Sequence, residues 1–219
     1  MARRFRPMTA ADLAALPEPC GACSFWESSL ADLATSSDQR RAATKQEWAE
    51  AVTRHWGYCG VAAYDDTRLI GHLLLAPAGQ VPRLGAFAST RVSPDAAVVT
   101  AVRVTEEHRG HGVGRHLVQT AAALVARRDI RALEAVATYQ QGPSCLLPAA
   151  WLEGIGFTVV RPHPVAPRLR MDLQATARWR PDLGAAWSRL TGLVTQPATA
   201  EPATYARREA TDPLPTGTT

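Results

Sequence analysis

The residues with the clearest potential for chemistry lie in the segment Arg109–Arg115, which reads RGHGVGR. Its glycines allow the backbone to approach a ligand closely. An amphipathic run over Leu117–Val125 follows and predicts a helix. Because the first N–H groups of a helix have no partner inside it, a helix start of this kind attracts anions. The segment therefore predicts a site for a phosphorylated cofactor.

Two familiar phosphate-binding loops fit this segment poorly. A P-loop needs a lysine and a hydroxyl residue after its last glycine, whereas Arg115 and His116 follow Gly114. A dinucleotide-binding loop needs the spacing G-x-G-x-x-G and an acidic residue about 20 positions further on. Arg115 occupies the place of the third glycine, and Glu134 lies near the start of its predicted strand rather than its end. The P-loop is thereby excluded, and the dinucleotide site is the weaker alternative.

A third interpretation rests on a resemblance to a known family. Residues Arg109–Gly114 match the R/Q-x-x-G-x-G/A signature of the GNAT superfamily of acetyl-CoA-dependent N-acetyltransferases. The upstream strand Val102–Val104 and the downstream segment Leu152–Phe157, which ends in Gly-Phe, resemble the corresponding parts of that family. The resemblance covers roughly residues 5–173. It implies an α/β (α+β) fold with a mixed central sheet flanked by helices, and transfer of an acetyl group from acetyl-CoA to a primary amine.

The resemblance also implies a set of cofactor-binding residues. Backbone N–H groups of the glycine-rich segment would bind the pyrophosphate of coenzyme A, assisted by the helix dipole. The backbone of the central strand would pair with pantetheine and polarise the thioester carbonyl. The expected residues are Val102, Arg103, Val104, Arg109, Gly110, His111, Gly112, Val113, Gly114 and Arg115.

The catalytic acid is less well matched. The family often has a tyrosine four residues before the glycine of Gly-Phe, where this chain has Leu152, and often an asparagine seven residues earlier, where it has Cys145. The resemblance therefore leaves Cys145, Tyr139 or water to protonate the leaving thiolate.

The catalytic base is also open. Glu106 and Glu107 follow the central strand, and His72 lies on the strand before it. Glu106 and Glu107 equally fit the role of solvated residues in a turn. His72 equally fits a position on the surface of the sheet. Of these three we name Glu106 as the candidate base, beside Cys145 and Tyr139 as candidate acids.

Seven strands and five helices are predicted from periodicity and turn residues. The strands are Arg3–Met8, Tyr58–Tyr64, Leu69–Ala76, Val98–Val104, Ala132–Thr138, Thr158–Arg161 and Leu169–Leu173. The helices are Ala10–Leu16, Thr44–Trp56, the run after Gly114, Ala149–Gly154 and Pro181–Leu193. We expect residues 1–174 to form the acetyltransferase domain, residues 175–194 a C-terminal helical extension, and residues 195–219, rich in Pro, Thr and Ala, a flexible tail.

Composition narrows the class of protein. The net charge of +4 is spread along the 219 residues, which argues against a nucleic-acid partner. No apolar run reaches about 18 residues and no secretory signal is present, so we expect a cytoplasmic protein without a membrane-spanning segment. Lys45 is the only lysine and asparagine is absent, a bias that indicates a GC-rich, bacterial gene.

The cysteines raise two further hypotheses. The spacing of Cys20 and Cys23 resembles half of a zinc site or a redox pair, but the second Cys-x-x-Cys is missing and we predict no metal. A papain-like site is excluded because the chain has no asparagine. Cys20 to Glu27 and the loop to Thr44 are instead expected to form the acceptor side of the active site. The sequence does not predict which amine is the acceptor, nor whether the protein is a monomer or a homodimer. The alternative function is an acyl-CoA-binding regulatory or interaction module with little or no turnover.

Overall fold

The computed structural model describes residues 3–173, apart from residues 90 and 143. Within this part of the chain, eight strands form a mixed sheet in the order β1-β2-β3-β4-β5-β8-β7, with β6 paired to the end of β5. The strands are β1 Arg3–Pro7, β2 Gly60–Asp65, β3 Arg68–Pro77, β4 Ala96–Val104, β5 Ala132–Thr138, β6 Leu147–Pro148, β7 Thr158–Arg161 and β8 Arg168–Asp172. The predicted fold class is confirmed.

Helices cover both faces of this sheet. They are α1 Ala10–Ala14, α2 Leu30–Thr35, α3 Asp38–Trp56, α4 Val113–Val125 and α5 Ala149–Gly154. One buried cluster joins the sheet to α4 and α5 and includes Leu73 and Leu117. A second cluster joins it to α1 and α3 and includes Val52 and Leu74. None of the described helices is long and apolar enough to span a membrane.

Side-chain caps explain where the first helices begin. A capping box begins α1: the Asp12 N–H donates to Thr9 Oγ1 and the Thr9 N–H donates to the Asp12 carboxylate. Helix α3 begins at Asp38 rather than at the predicted Thr44, because Ser37 Oγ accepts from the Arg40 N–H. Its first turns are polar, so the apolar periodicity does not reveal them.

Strand β4 diverges from β5, and this opening determines where a ligand can lie. In the described part of the chain, the two parallel strands pair only at Ala96–Ala132, Ala97–Leu133 and Val98–Glu134, whereas β4 continues beside β3 as far as Val104. A register irregularity between β3 and β4 opposite Leu74 and Leu75 adds to the bend. Beyond Val98, the edge of β4 that faces β5 has no strand partner among the described residues.

The predicted loop Tyr139–Pro148 ends in a short strand that the sequence pattern did not reveal. Leu147 and Pro148 pair with Ala137 and Thr138, which returns the chain to the open end of β5 before α5 begins. The predicted helix Pro181–Leu193 and the predicted tail lie outside the described residues, so the division of the chain at residues 174 and 194 stays a prediction.

Candidate active site

A cavity of about 790 Å³ fills the opening between β4 and β5. Four parts of the chain line it: the end of β4, the glycine-rich segment at the start of α4, the loop between β5 and α5, and an acceptor-side segment that we define as Cys20–Glu27. Lys45 of α3 and His72 of β3 complete the wall beside this segment. Of the predicted acceptor side, Cys20–Glu27 lines the cavity, whereas residues 28–44 do not, and its role toward an acceptor stays a prediction.

The glycine-rich segment presents an uncapped helix start to the cavity. Gly110 has φ of 75° and Gly112, the N-cap residue of α4, has φ of 78°. Glycine adopts this left-handed region without the penalty that a side chain brings. None of the described side chains caps the helix, so its first N–H groups are available to an anion. The local geometry suits a phosphate group.

Two arginines and one close contact fix this helix start. Arg109 Nε donates to the Val104 carbonyl at 3.2 Å, and Arg115 Nη2 donates to the Gly154 carbonyl at the end of α5 at 2.9 Å. A Cβ atom on Gly114 would lie 3.1 Å from Cζ2 of Trp151. The glycine at this position thus lets the Trp151 indole pack directly on the first turn of α4.

Most of the predicted cofactor-binding residues line the cavity. His111 is the exception. Its side chain is exposed, its Nδ1 lies 2.7 Å from the Arg109 carbonyl, and its own carbonyl accepts from Arg3 Nη1 at 3.2 Å. His111 therefore shapes the outer side of the segment, where only its backbone is near the helix start.

The three predicted catalytic residues lie in different places. Cys145 lines the cavity. Glu106 lies in a neighbouring cavity of about 280 Å³, and Arg103 lines both cavities. Tyr139 is 54% exposed and lines neither. The structure thus brings only Cys145 to the main cavity, and the roles of all three stay predictions.

A pair of thiols spans the acceptor end of the cavity. The Sγ atoms of Cys23 and Cys145 are 3.6 Å apart, and Trp26 Nε1 donates to the Cys145 carbonyl at 3.0 Å. The hydrogen bond from Cys145 lowers the pKa of Cys23 to about 6, because it stabilises the Cys23 thiolate. The same interaction, followed by burial, raises the pKa of Cys145. Burial raises the pKa of Cys20.

A buried ion pair lies behind the thiols. Lys45 Nζ donates to Glu27 Oε1 at 2.7 Å, and the two side chains are 7% and 2% exposed. Nothing in the predicted motifs points to this pair. A signal was present, since Lys45 is the only lysine and shares a helix face with the buried Trp48, Ala49 and Val52 at positions i+3, i+4 and i+7.

His72 is buried, in contrast to the surface position considered from the sequence. It is 1% exposed and its Nε2 has no hydrogen-bond partner among the described residues. Burial, then the charges of Lys45 and Arg103, lower the pKa of His72 to about 3. The imidazole is therefore neutral at physiological pH, and its low pKa makes it a poor base for an amine.

Fold and cavity together describe an α/β enzyme with a splayed sheet and an anion-binding helix start. A model of the acetyltransferase (GNAT) family matches residues 23–147. This match covers more than half of the chain, which therefore belongs to the GNAT acetyltransferase family and is a transferase.

Solved structures show the same fold. The PaiA N-acetyltransferase of Thermoplasma acidophilum, in complex with coenzyme A, is 15% identical over 78% of this chain and 99% of that chain, with a TM-score of 0.52. YncA of Salmonella typhimurium, solved with its cofactor acetyl-CoA, is 19% identical over 79% of this chain and 95% of that chain, also with a TM-score of 0.52. A search of curated protein sequences gave no match.

Proposed function

We propose that this protein transfers an acetyl group from acetyl-CoA to a primary amine by direct attack of the amine on the thioester. One observation carries the proposal: the unpartnered edge of β4 and the uncapped start of α4 open onto the same cavity. A strand edge binds amides and a helix start binds phosphate. Coenzyme A carries both groups in one molecule, and it occupies the solved PaiA and YncA structures in free or acetylated form.

The chain's own residues suggest how the cosubstrate is held. Backbone N–H groups between Arg109 and Gly114 bind the pyrophosphate, with positive charge from Arg109 and Arg115. The two amides of pantetheine pair with β4 between Ala101 and Val104, in the place that β5 leaves open. A backbone N–H of this strand then polarises the thioester carbonyl as negative charge develops on its oxygen.

Positioning supplies most of the catalysis, because an amine attacks a thioester without a covalent enzyme intermediate. We assign the hydrogen bond to the leaving sulfur to Cys145, which lines the cavity and whose raised pKa keeps its thiol protonated at neutral pH. In this step its S–H turns from Cys23 to the leaving sulfur. Glu106 accepts the proton of the amine through water, since it lies beyond Arg103 in the neighbouring cavity. Phe25 and Trp26 wall the space left for the amine.

Ligand-dependent melting tests the cosubstrate first. Acetyl-CoA should raise the melting temperature, whereas NAD and ATP should not. Arg109→Ala should weaken the effect of acetyl-CoA, and Arg54→Ala, which changes an exposed arginine at the far end of α3, is the matched control. A shift with NAD and none with acetyl-CoA would contradict the proposal.

Turnover tests the reaction. Release of the coenzyme A thiol is measured with a panel of primary amines, and the acetylated product is identified by mass. Cys145→Ala should lower kcat by about a hundredfold, the lower range for loss of a positioned proton donor. Tyr139→Phe tests the alternative acid, and equal losses in both variants would contradict the assignment to Cys145. Binding of acetyl-CoA without thiol release for any amine would instead support a binding module.

A further inference from the structure

Two thiols from distant parts of the chain meet at the acceptor end of the cavity. Cys23 and Cys145 are 122 positions apart in sequence, and their Sγ atoms are 3.6 Å apart with both side chains lining the cavity. Neither is engaged in a disulfide. The described residues contain no group of three or more His, Cys, Asp or Glu that could hold a metal ion.

The backbone around the pair holds the two sulfurs in place. Trp26, three residues after Cys23, donates its indole N–H to the Cys145 carbonyl at 3.0 Å. The Trp26 side chain is buried, at 4% exposure, so this hydrogen bond anchors the loop that carries Cys145 to the acceptor-side segment. The thiols themselves remain accessible, since Cys145 is exposed and Cys23 is half-buried.

We propose that Cys23 and Cys145 form an oxidisable thiol pair, which a peroxide converts into an intramolecular disulfide across the acceptor end of the cavity. The site follows from the contact between the sulfurs and from their access to solvent. Its effect on turnover rests on the proposed acetyltransferase function, whereas formation of the bond does not.

The chemistry balances with peroxide as the oxidant. The Cys23 thiolate attacks one peroxide oxygen, the O–O bond breaks, and Cys23 becomes a sulfenic acid as hydroxide leaves. The Cys145 sulfur then attacks the sulfenic sulfur, the S–O bond breaks, and the departing hydroxide takes the Cys145 proton as water. Two thiols lose two electrons in total, and one peroxide is reduced to two waters.

The surroundings select Cys23 as the first sulfur to react. A thiolate is the reactive form, and the pKa of Cys23 is lowered by the hydrogen bond from Cys145, by the Phe25 N–H and by the charge of Lys45, against the opposing effects of burial and Glu27. Burial raises the pKa of Cys20, its neighbour in the same segment. Cys59 is 1% exposed and lies in the core.

The bond would change the cavity in two ways. Its formation brings the sulfurs from 3.6 Å to about 2.05 Å, which ties the acceptor-side segment to the loop after β5. It also removes the thiol proton of Cys145, which we propose forms the hydrogen bond to the leaving sulfur of coenzyme A. Both changes reduce acetyl transfer, and reduction of the disulfide restores it.

Peptide mapping after peroxide treatment of the full chain tests the bond itself. Trypsin places Cys23 with Cys20 in residues 5–40, and Cys145 in residues 132–168, because Arg6 and Arg161 precede proline. Wild type and Cys20→Ser should both yield these two peptides joined, and Cys23→Ser should not. In the double variant Cys20→Ser/Cys145→Ser the sulfenic acid has no partner thiol at the cavity, so dimedone should label Cys23.

Two results would overturn the proposed pair. One is a bond between Cys20 and Cys23 in wild type with no joined peptides. The other is oxidation of Cys23 to a sulfinic acid in Cys20→Ser, again without the joined peptides.

Turnover with acetyl-CoA, measured on the same samples, tests the consequence. Oxidised wild type should lose about a hundredfold in kcat, the loss expected with the proton donor, and dithiothreitol should restore it. Cys23→Ser should show the same rate before and after peroxide. Unchanged turnover in fully cross-linked protein would refute the effect on the cavity. If untreated protein acetylates no amine, the proposed function fails while the peptide map still decides the disulfide.

Discussion

The ammonium group of Lys45 lies 2.7 Å from the Glu27 carboxylate, and both side chains are almost completely removed from water. This pair joins the middle of α3 to the acceptor-side segment. A buried ion pair contributes little net stability, because the cost of desolvating two charges offsets their attraction. Removal of one partner strongly destabilises the fold, since the remaining charge stays buried without an opposite charge beside it.

Lys45→Met should therefore destabilise the fold by about 3–5 kcal/mol. The double variant Lys45→Met/Glu27→Leu should recover much of that loss, because it replaces both charges with apolar groups. Chemical denaturation of the four proteins of this cycle measures the coupling. Additive effects of the two substitutions would show that the ion pair does not form in solution.

Two glycines of the cofactor segment should respond differently to alanine. Gly112→Ala places a side chain at φ of 78° in open space, so backbone strain alone should cost about 1–2 kcal/mol. Gly114→Ala keeps an ordinary helical backbone but pushes its Cβ to 3.1 Å from the Trp151 ring, which must move within the cavity wall. Gly114→Ala should therefore raise the KM for acetyl-CoA.

Denaturation and acetyl-CoA kinetics distinguish these two effects. Gly79→Ala is the control, because a Cβ there meets no atom within 4 Å and the residue lines neither cavity. A normal KM in Gly114→Ala would show that Trp151 does not help to shape the cofactor site.

Alkylation of Cys23 should depend on pH in a defined direction. Its pKa is about 6, so the reactive thiolate fraction should increase with pH and level off above that value. Cys145→Ala removes the donor that stabilises the thiolate and should move the midpoint upward. Iodoacetamide labelling of residues 5–40 in the Cys20→Ser background gives the rate. A midpoint that Cys145→Ala leaves unchanged would mean that the two thiols do not share a hydrogen bond.

Acid should remove the stabilisation that Asp12 provides. Burial favours its protonated form, but hydrogen bonds from Arg6, Tyr64 and Thr9 outweigh burial and lower the pKa of Asp12 to about 2. A carboxylate with a depressed folded-state pKa stabilises the fold above its unfolded pKa of about 3.9 and loses that effect as the pH falls toward 2. Asp12→Asn should cost about 2 kcal/mol at neutral pH and progressively less below pH 4.

Urea denaturation between neutral pH and about pH 2.5 measures this loss, with Asp38→Asn as the exposed control. A constant difference between wild type and Asp12→Asn across this range would contradict the assigned pKa.

The sequence predicts those parts of the site whose backbone conformation is determined by residues close by in the chain. Gly110 and Gly112 adopt the left-handed conformation within a few residues of the helix that they precede, so their spacing alone indicates an anion-binding turn. The acceptor end has no such local cause. The Cys-x-x-Cys spacing suggests that Cys20 and Cys23 are partners, yet the Cys23 sulfur meets Cys145, which the fold brings from the far side of the cavity.

His72 on β3 is a second residue whose surroundings the sequence does not predict. Its neighbours on β3 predict the strand correctly, but the pattern cannot tell whether the face that carries His72 is covered. Lys45 of α3 and the acceptor-side segment line the same cavity wall as His72, which is a neutral, buried residue instead of a surface one.

The divergence of β4 from β5 has a consequence for the sheet as a whole. Among the described residues, β4 and β5 pair at three positions, and these pairs link the half of the sheet built from β1 to β4 to the half built from β5 to β8. A ligand that pairs with the open edge of β4 supplies, from outside the chain, hydrogen bonds that a continuous sheet would make internally. Bound cosubstrate would then connect the two halves of the sheet. Backbone amide hydrogens on both sides of the opening between β4 and β5 should therefore exchange more slowly once it is bound.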